Sequence, residues 1–311
     1  VRVDPASSNT IYIGQPAPYI YSAAAPPRRE GESVVIMLSE DRGKSWRELV
    51  RVKGQDVLAI LPGTWEGKPD DVTVFTDRSV VRVAKASGKV TELPLPVERI
   101  LAAEGGTGEN GCVYYVLAPM RSSEGKVAGG VYRSTDQGKS WKQVNNGLLD
   151  GWQDSGALPR FSALAVCEGD SRVAYLSSSH YILKINNERE RQFGIFKTED
   201  SGETWRWVYR ANNDKVLGDN YKPGWMAINY GPEWGEYPLS LGVSPTDANI
   251  CYANDFGCTY RTLDGGATWE QVYTEPLPDG SWISRGLDVT TCYGVHFDPF
   301  DPKHIFISYT D

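Results

Sequence analysis

The sequence contains little of what several common chemistries require. Its 311 residues include only three histidines and three methionines, and no basic block is longer than the pair Arg28-Arg29. The formal net charge is −8, so the average field would repel a nucleic-acid polyanion, and we expect no nucleic-acid partner. No stretch approaches the roughly 18 consecutive apolar residues of a membrane helix, so we expect no membrane span.

Metal and cofactor sites also lack their usual patterns. The five cysteines are odd in number and have no C-x-x-C spacing, which favours buried free thiols. Only Cys251 and Cys258 flank a predicted hairpin. His180, His296 and His304 lie far apart, and neither a phosphate-binding loop nor a Ser-His-Asp arrangement is visible. We therefore expect no metal and no cofactor.

Aromatic residues and glycine, by contrast, are abundant. The chain has ten Trp, 17 Tyr and 32 Gly. This composition is typical of many short strands joined by tight turns. It also suits a surface on which aromatic rings stack against sugars, although core packing accounts for most aromatic residues in most proteins.

An octapeptide of the form [ST]-x-D-x-G-x-[ST]-W occurs four times. The copies are SEDRGKSW from residue 39, STDQGKSW from 134, TEDSGETW from 198 and TLDGGATW from 262. The last two intervals are equal, and the first is long enough for one further, degenerate unit. Each copy lies between two strand-like runs, so it predicts a turn in a repeated structure.

A second element, strand then Asp/Pro or Ser/Pro turn then strand, begins near residues 1, 241 and 295. Joined to the octapeptide hairpin, it gives units of four antiparallel strands, the signature of a β-propeller. The sequence therefore predicts an all-β fold with no helical segment, in a single propeller domain or part of one. The expected blades are 1–53, 54–97, 98–158, 159–236 and 237–290, with a half blade at 291–311.

Five and a half blades would not close a ring, and open sheet edges promote aggregation. The chain starts at Val1 rather than Met, and it stops at Asp311 after an apolar run. We expect a processed or partial chain, whose further blades come from residues beyond 311 or from another chain.

The octapeptide resembles the Asp-box, or BNR repeat, of sialidases, xyloglucan-active glycoside hydrolases, sortilin-type receptors and photosystem-assembly propellers. The resemblance implies that each aspartate braces its own turn by accepting backbone N–H bonds, and that glycine takes a positive φ. It also implies that the tryptophan folds over the hairpin near the next blade. The braces would be Asp41, Asp136, Asp200 and Asp264.

In a propeller, the Asp-boxes and the Asp/Pro turns share one end of the blades, and the longer loops lie at the other. Long loops are where function usually resides. They are expected at 14–33, 145–162, 177–192, 210–238 and 274–292. The segments 210–238 and 274–292 mix aromatic side chains with carboxylates, a composition that would suit a glycan cleft; the alternative is that their Trp and Tyr residues merely pack the loops. The candidate substrate-binding residues are Trp225, Tyr230, Trp234, Trp282, Arg285 and His180.

Two-propeller xyloglucanases carry catalytic aspartates in a [TN]-D-x-G segment after a tyrosine-containing strand. Asp255 in YANDFG is similar, and Asp311 in SYTD is similar as far as it extends. The family places its two aspartates on facing propellers, whereas these two would lie in adjacent blades. Asp255 would otherwise be a cap of its hairpin.

These features predict a secreted or periplasmic protein that acts on a polysaccharide or oligosaccharide, most directly a glycoside hydrolase with carboxylate acid/base chemistry. The candidate catalytic residues are Asp255, Asp311, Glu233, Glu236 and Asp288. A lyase for uronic-acid polymers, with His180 or a tyrosine as base, is a neighbouring alternative. A sialidase is unsupported, because its F/Y-R-I-P segment is missing. The alternative from another class is a non-catalytic propeller that binds a protein or assists assembly.

Overall fold

A computed structural model of the protein describes residues 1–15, 33–68, 70–108, 111–212, 214–230, 240–255, 259–285 and 292–309. Strands dominate this part of the chain, and most of them form four-stranded antiparallel sheets. The predicted all-β class is confirmed. The chain divides into two compact units, the first being Val1–Pro119 with Val131–Gln143, and the second Met120–Gly130 with Val144–Asp311.

The first unit contains two whole antiparallel sheets and most of a third, whose residues 120–130 belong to the second unit; each sheet pairs its strands in chain order. The first sheet consists of β1 (Arg2–Asp4), β2 (Ser7–Gln15), β3 (Ser33–Ser39) and β4 (Arg47–Lys53). The second consists of β5 (Val57–Pro62), β6 (Asp71–Thr76), β7 (Val80–Ala84) and β8 (Val90–Leu93). The third consists of β9 (Ala102–Gly108), β10 (Gly111–Ser123), β11 (Lys126–Ser134) and β12 (Lys142–Gln143).

The second unit contains the fourth and fifth sheets. The fourth consists of β13 (Arg160–Val166), β14 (Ala174–Ile185), β15 (Glu188–Thr198) and β16 (Arg206–Ala211). In the fifth, a short β17 (Tyr221–Lys222) runs parallel to the last of four antiparallel strands. Those four are β18 (Ser240–Val243), β19 (Cys251–Asn254), β20 (Thr259–Thr262) and β21 (Trp269–Gln271).

Two hairpins and two short helices complete the second unit. The hairpins are β22 (Thr274–Pro276) with β23 (Trp282–Ser284), and β24 (Cys292–Phe297) with β25 (Ile305–Tyr309). The helices are α1 (Trp152–Ser155) and α2 (Trp225–Tyr230). The expectation of no helix missed both, because neither is long enough to show a helical period in the sequence.

Apolar cores lie between neighbouring sheets of each unit. Strand β6 is buried along its whole length. Its Val72 and Val74 pack with β3, whereas Phe75 packs with Tyr114 of β10. A strand covered on both faces reads as a continuous apolar run rather than an alternating one. A third core joins the fourth and fifth sheets. Cys112, Cys167 and Cys251 are buried free thiols.

The four octapeptides form the turns between the third and fourth strands of the first, third, fourth and fifth sheets, and their bonding is nearly identical. In the last copy, Asp264 Oδ1 accepts the Thr268 amide at 2.8 Å, and Oδ2 accepts the Thr268 hydroxyl at 2.7 Å. The Thr262 hydroxyl donates to Asp264 Oδ1 at 2.8 Å and accepts the Gly266 amide at 2.8 Å. The corresponding bonds to Asp41, Asp136 and Asp200 agree closely. These aspartates are braces.

Each octapeptide turn places two successive residues at positive φ. In the first copy these are Arg42 at 65° and Gly43 at 85°. Only the fourth copy has glycine at both positions, Gly265 and Gly266. A non-glycine residue at positive φ is unfavourable by about 1 kcal/mol or more, so the brace must hold the first three turns against that cost.

Three of the four box tryptophans connect their turn to the preceding part of the chain, whereas the resemblance implied a position near the next blade. Trp141 Nε1 donates to the Pro94 carbonyl after β8, and Trp269 Nε1 donates to the Val208 carbonyl in β16. Trp205 Nε1 likewise donates to Val144. Trp46, in the first sheet, donates instead to Gly43 of its own turn and remains 37% exposed.

The contrast between Trp269 and Trp46 gives a matched pair of stability predictions. Trp269→Phe should lower the free energy of unfolding by about 2 kcal/mol, because it leaves a gap in the core and removes one hydrogen bond to the Val208 carbonyl, which keeps Asn220 Nδ2 as a second donor. Trp46→Phe should cost less than about 1 kcal/mol. Urea unfolding followed by circular dichroism measures both. Equal losses would contradict the connecting role of the buried indole.

The braces also make stability depend on pH. Hydrogen bonds from the Ser45 hydroxyl and amide and from the Ser39 hydroxyl lower the pKa of Asp41 to about 2. In the other three boxes partial burial opposes the shift, but similar bonds outweigh it and the pKa of each aspartate is lowered. A lowered folded-state pKa gives stability that is present above the unfolded value and lost as pH falls toward the folded value.

We therefore expect the urea midpoint to fall steeply between about pH 4 and pH 2. Asp41→Asn removes one contributing carboxylate, so it should lower the midpoint at pH 6 and flatten the decline below pH 4. Measuring the midpoint at half-unit pH steps tests this. A variant whose decline parallels that of the original chain would show that the brace does not titrate as described.

Candidate functional site

The register of the fifth sheet separates its two edges. At one edge Asn254 pairs with both Ser240 and Thr259, and the Val272 amide donates to the Thr259 carbonyl. At the other edge Cys251 pairs with Thr262, where the Asp264 turn begins. These two edges are the two ends of the strands, not the outer strands of the sheet. We call the end at Asn254 the loop edge and the end at Thr262 the box edge. Asp255, which directly follows β19, is at the loop edge.

Asp255 is the one predicted catalytic residue that the structure describes, and it is buried, with 2% of its surface exposed. Its position after the last paired residue of β19 separates it by one short strand from Asp264. Burial of a carboxyl group is unfavourable unless hydrogen bonds compensate. Asp255 and Asp264 therefore occupy different environments at opposite edges of one sheet.

Helix α2 carries two of the predicted aromatic residues to the surface. Trp225 is 41% exposed and Tyr230 is 58% exposed, and their rings meet edge to face with centroids 5.7 Å apart. No α2 residue is buried. The helix therefore presents aromatic surface that the described core does not use.

The hairpin of β22 and β23 brings Trp282 to the same region. Thr274 pairs with Ser284 and Pro276 pairs with Trp282, so alternation places these four side chains on one face. The Thr274 hydroxyl accepts the Trp225 amide at 3.2 Å. The first residue of α2 therefore lies against the hairpin face that carries Trp282.

Gln271 fixes the base of this hairpin at the loop edge. Its Oε1 accepts the amides of Tyr273 and Thr274, both at 3.0 Å, and its Nε2 donates to the Thr274 carbonyl at 2.6 Å. A Cβ at Gly224 would lie 2.2 Å from the Gln271 side chain. Glycine at 224 is what lets the chain entering α2 pass this clamp, which the sequence analysis did not identify.

Arg285 follows the hairpin on the same side of the sheet. Its amide donates to the Tyr273 carbonyl at 2.8 Å, and its guanidinium lies 3.9 Å from the carboxylate of Glu275. Both side chains are about half exposed, so this ion pair contributes little stability. Arg285 remains accessible beside the aromatic residues.

His180 belongs to a different sheet. It lies in β14 of the fourth sheet and pairs across strands with Arg160. Partial burial, followed by the charges of Arg160, Arg191 and Arg189, lowers the pKa of His180 below its ordinary value. The imidazole is thus favoured in its neutral form at neutral pH.

The other predicted site residues lie outside the described residues. They are Glu233, Trp234, Glu236, Asp288 and Asp311. Within the ranges given above, no group of three or more His, Cys, Asp or Glu side chains is placed to hold a metal ion. No helix there is long and apolar enough to cross a membrane.

Comparison with known proteins agrees with the repeat and the fold. The BNR/Asp-box repeat family matches residues 132–143. A xyloglucanase from Paenibacillus sp is 25% identical over 198 residues, covering 61% of this chain and 18% of that protein. An oligoxyloglucan-reducing end-specific xyloglucanase from Emericella nidulans is 23% identical over 258 residues, covering 76% of this chain and 26% of that protein.

Among solved structures, the GH74 xyloglucanase from Xanthomonas campestris superimposes with a TM-score of 0.54 at 17% identity. The match covers 99% of this chain and 43% of that one. This chain thus spans less than half the length of each of these relatives, and at such identity the structural likeness is one of fold. The chain is a BNR-repeat β-propeller that resembles xyloglucanases.

Proposed function

We propose that this chain is part of a glycoside hydrolase that binds a polysaccharide at the loop edge of the fifth sheet. The observation that carries the proposal is the hydrogen bond from the Trp225 amide to the Thr274 hydroxyl. It joins α2 to the Trp282 hairpin at the sheet edge where Asp255 follows β19. Aromatic surface beside a carboxyl group is what sugar binding and sugar cleavage require.

The aromatic residues would supply binding. Trp225 and Tyr230 expose ring surface, and Trp282 is half-buried on the hairpin face nearest to them. A flat ring packs against the apolar face of a sugar, while the edges of the sugar keep their hydroxyls in water or against polar side chains. The exposed guanidinium of Arg285 is a donor for such hydroxyls.

The carboxyl groups would supply the chemistry. Hydrolysis needs one carboxylic acid to protonate the leaving oxygen and a second carboxylate to act as nucleophile or to activate water. We assign Asp255 to this pair. Glu233, Glu236, Asp288 and Asp311 remain the proposed sources of its partner.

Xyloglucan is the first substrate to test, because the relatives above are named for acting on it. A polymer of this size does not cross a membrane, so we place the protein outside the cytoplasm, secreted or periplasmic. We also propose that further blades complete the propeller, because the five and a half expected blades would leave the ring open.

We expect Asp255→Asn to reduce the release of reducing sugar from xyloglucan by about 100-fold or more, since loss of a general acid or base typically costs that much. The exchange is nearly isosteric, so the urea midpoint should change little. Asp264→Asn at the box edge is the control and should keep its activity. Full activity in Asp255→Asn with undiminished stability would remove this residue from the mechanism.

The aromatic site is tested separately by binding. Trp225→Ala combined with Trp282→Ala should weaken xyloglucan binding by about tenfold or more, because two stacking surfaces are lost. Trp46→Ala, at a box turn, is the matched control and should leave affinity within about twofold. Isothermal titration of the full chain measures both.

The two tests together separate the alternatives. Binding without release of reducing sugar by the original chain would favour a non-catalytic propeller. Unchanged affinity in the double variant would place the polysaccharide elsewhere.

A further inference from the structure

A two-stranded ribbon extends from the fourth sheet where β14 turns into β15. Beyond an irregularity between Ser178 and Tyr181, the pairs run from Tyr181 with Gln192 to Ile185 with Glu188. Asn186 and Asn187, both at positive φ, form its two-residue turn. We call residues 180–191 the ribbon.

The ribbon separates charges of opposite sign onto its two faces. Residues 188–191 read Glu-Arg-Glu-Arg, and successive side chains of a strand point to opposite faces. Arg189 and Arg191 therefore share one face, and Glu188 and Glu190 share the other. Lys184 pairs with Arg189 across the strands and so joins the arginine face.

The base of the ribbon adds further positive charge. Arg160 pairs with His180, and the charges of Arg160, Arg191 and Arg189 all act on the His180 imidazole. The positive charges of three arginines therefore act on one side chain at the base of the ribbon. Arg160 and Arg189 are exposed, and Arg191 is half-buried. In a chain of net charge −8, this is a local reversal of sign.

The face opposite the arginines carries Glu190 and makes the hydrogen bonds that anchor the ribbon. Glu190 Oε1 accepts Gln192 Nε2 at 3.0 Å and Asn212 Nδ2 at 3.1 Å. The hydroxyl of the buried Tyr181 donates to the Asp150 carbonyl at 2.8 Å. These bonds fix the orientation of the ribbon and keep the Glu190 carboxylate on the face away from the arginines.

A polar depression lies at the tip of the ribbon. It has a volume of about 450 Å³ and is lined by Asp154, Lys184, Asn186 and Asn187. Amide and charged side chains are suited to hydrogen-bonding sugar hydroxyls. The depression and the arginine face share Lys184, so one extended ligand can reach both.

We propose that the arginine face of the ribbon binds the oxyanion groups, carboxylate or sulfate, of an acidic polysaccharide. This inference rests on the proposed function and specifies a class of polysaccharide for it. The planar guanidinium fork matches both oxyanions. Arg189 and Arg191 are spaced by roughly 7 Å along their strand, so they can engage successive charged groups of a chain.

The test is binding of the full chain to polygalacturonate, which carries carboxylates, and to dextran sulfate, which carries sulfates. Arg189→Gln combined with Arg191→Gln should weaken binding by at least about tenfold, and added salt should weaken binding by the original chain. Arg172→Gln combined with Arg206→Gln is the matched control, because it removes two exposed arginines outside the ribbon. Its affinity should stay within about twofold.

Either polymer binding in this pattern supports the inference, and the preferred polymer identifies the oxyanion. Equal losses in the two double variants, no binding of either polymer, or tighter binding of single-stranded DNA would overturn it. Xyloglucan binding, measured in parallel, reports on the proposed function alone. A chain that binds xyloglucan but neither acidic polymer refutes only the ribbon site.

Discussion

Each described sheet with an octapeptide depends at one edge on a carboxylate that accepts hydrogen bonds from its own turn. Asp264 takes an amide and two hydroxyls from Thr262 and Thr268, and through them it holds two residues at positive φ. The same turn also directs Trp269 toward the Val208 carbonyl of β16. One local interaction therefore fixes both the end of a sheet and the contact of that sheet with the strand before it.

The second sheet shows what happens without a box. Its last turn is closed by the Gly88 amide donating to Ala84 and the Ala84 amide donating to Lys89, at 2.8 and 2.9 Å. Backbone bonds alone thus suffice to close such a hairpin. The box adds a tryptophan with a fixed direction, which is why we regard the box edge as structural and leave binding to the loop edge.

Keeping the braces at one edge leaves the other edge free to vary. At the loop edge of the fifth sheet the chain departs from the regular sheet into α2 and the β22–β23 hairpin, and in the fourth sheet the connection between β14 and β15 extends into the ribbon. These segments are held by side-chain bonds specific to this chain, such as the Gln271 clamp and the Thr274 hydroxyl. The surface they present mixes aromatic rings with cationic groups, whereas the box edge repeats one bonding pattern.

The fold class could be predicted because its signals are local and repeated. Four copies of one turn and a recurring Asp/Pro hairpin specify antiparallel strands wherever they occur. The sequence predicted a positive φ for the box glycine but not for the residue before it. That residue is Arg42, Gln137 or Ser201 in three copies, and none of these residue types indicates a positive φ. The short helices also escaped, since four or six residues carry no period.

The candidate site was predictable in kind but not in arrangement. A loop rich in Trp and Tyr indicated aromatic surface, yet the bond between Trp225 and Thr274 joins residues far apart in the sequence. The ribbon illustrates the reverse case. Its Glu-Arg-Glu-Arg alternation is visible in the sequence. The alternation separates the charges onto two faces only because the strand continues beyond the sheet, which the structure shows.

The central claim is that the loop edge binds glycan and the box edge does not. Amide hydrogen exchange of the full chain, with and without saturating xyloglucan oligosaccharides, tests it most directly. The account predicts slowed exchange at 224–230 and 273–285 and unchanged exchange at 198–205 and 262–269. Protection at the box turns, with none in α2 or the hairpin, would contradict it.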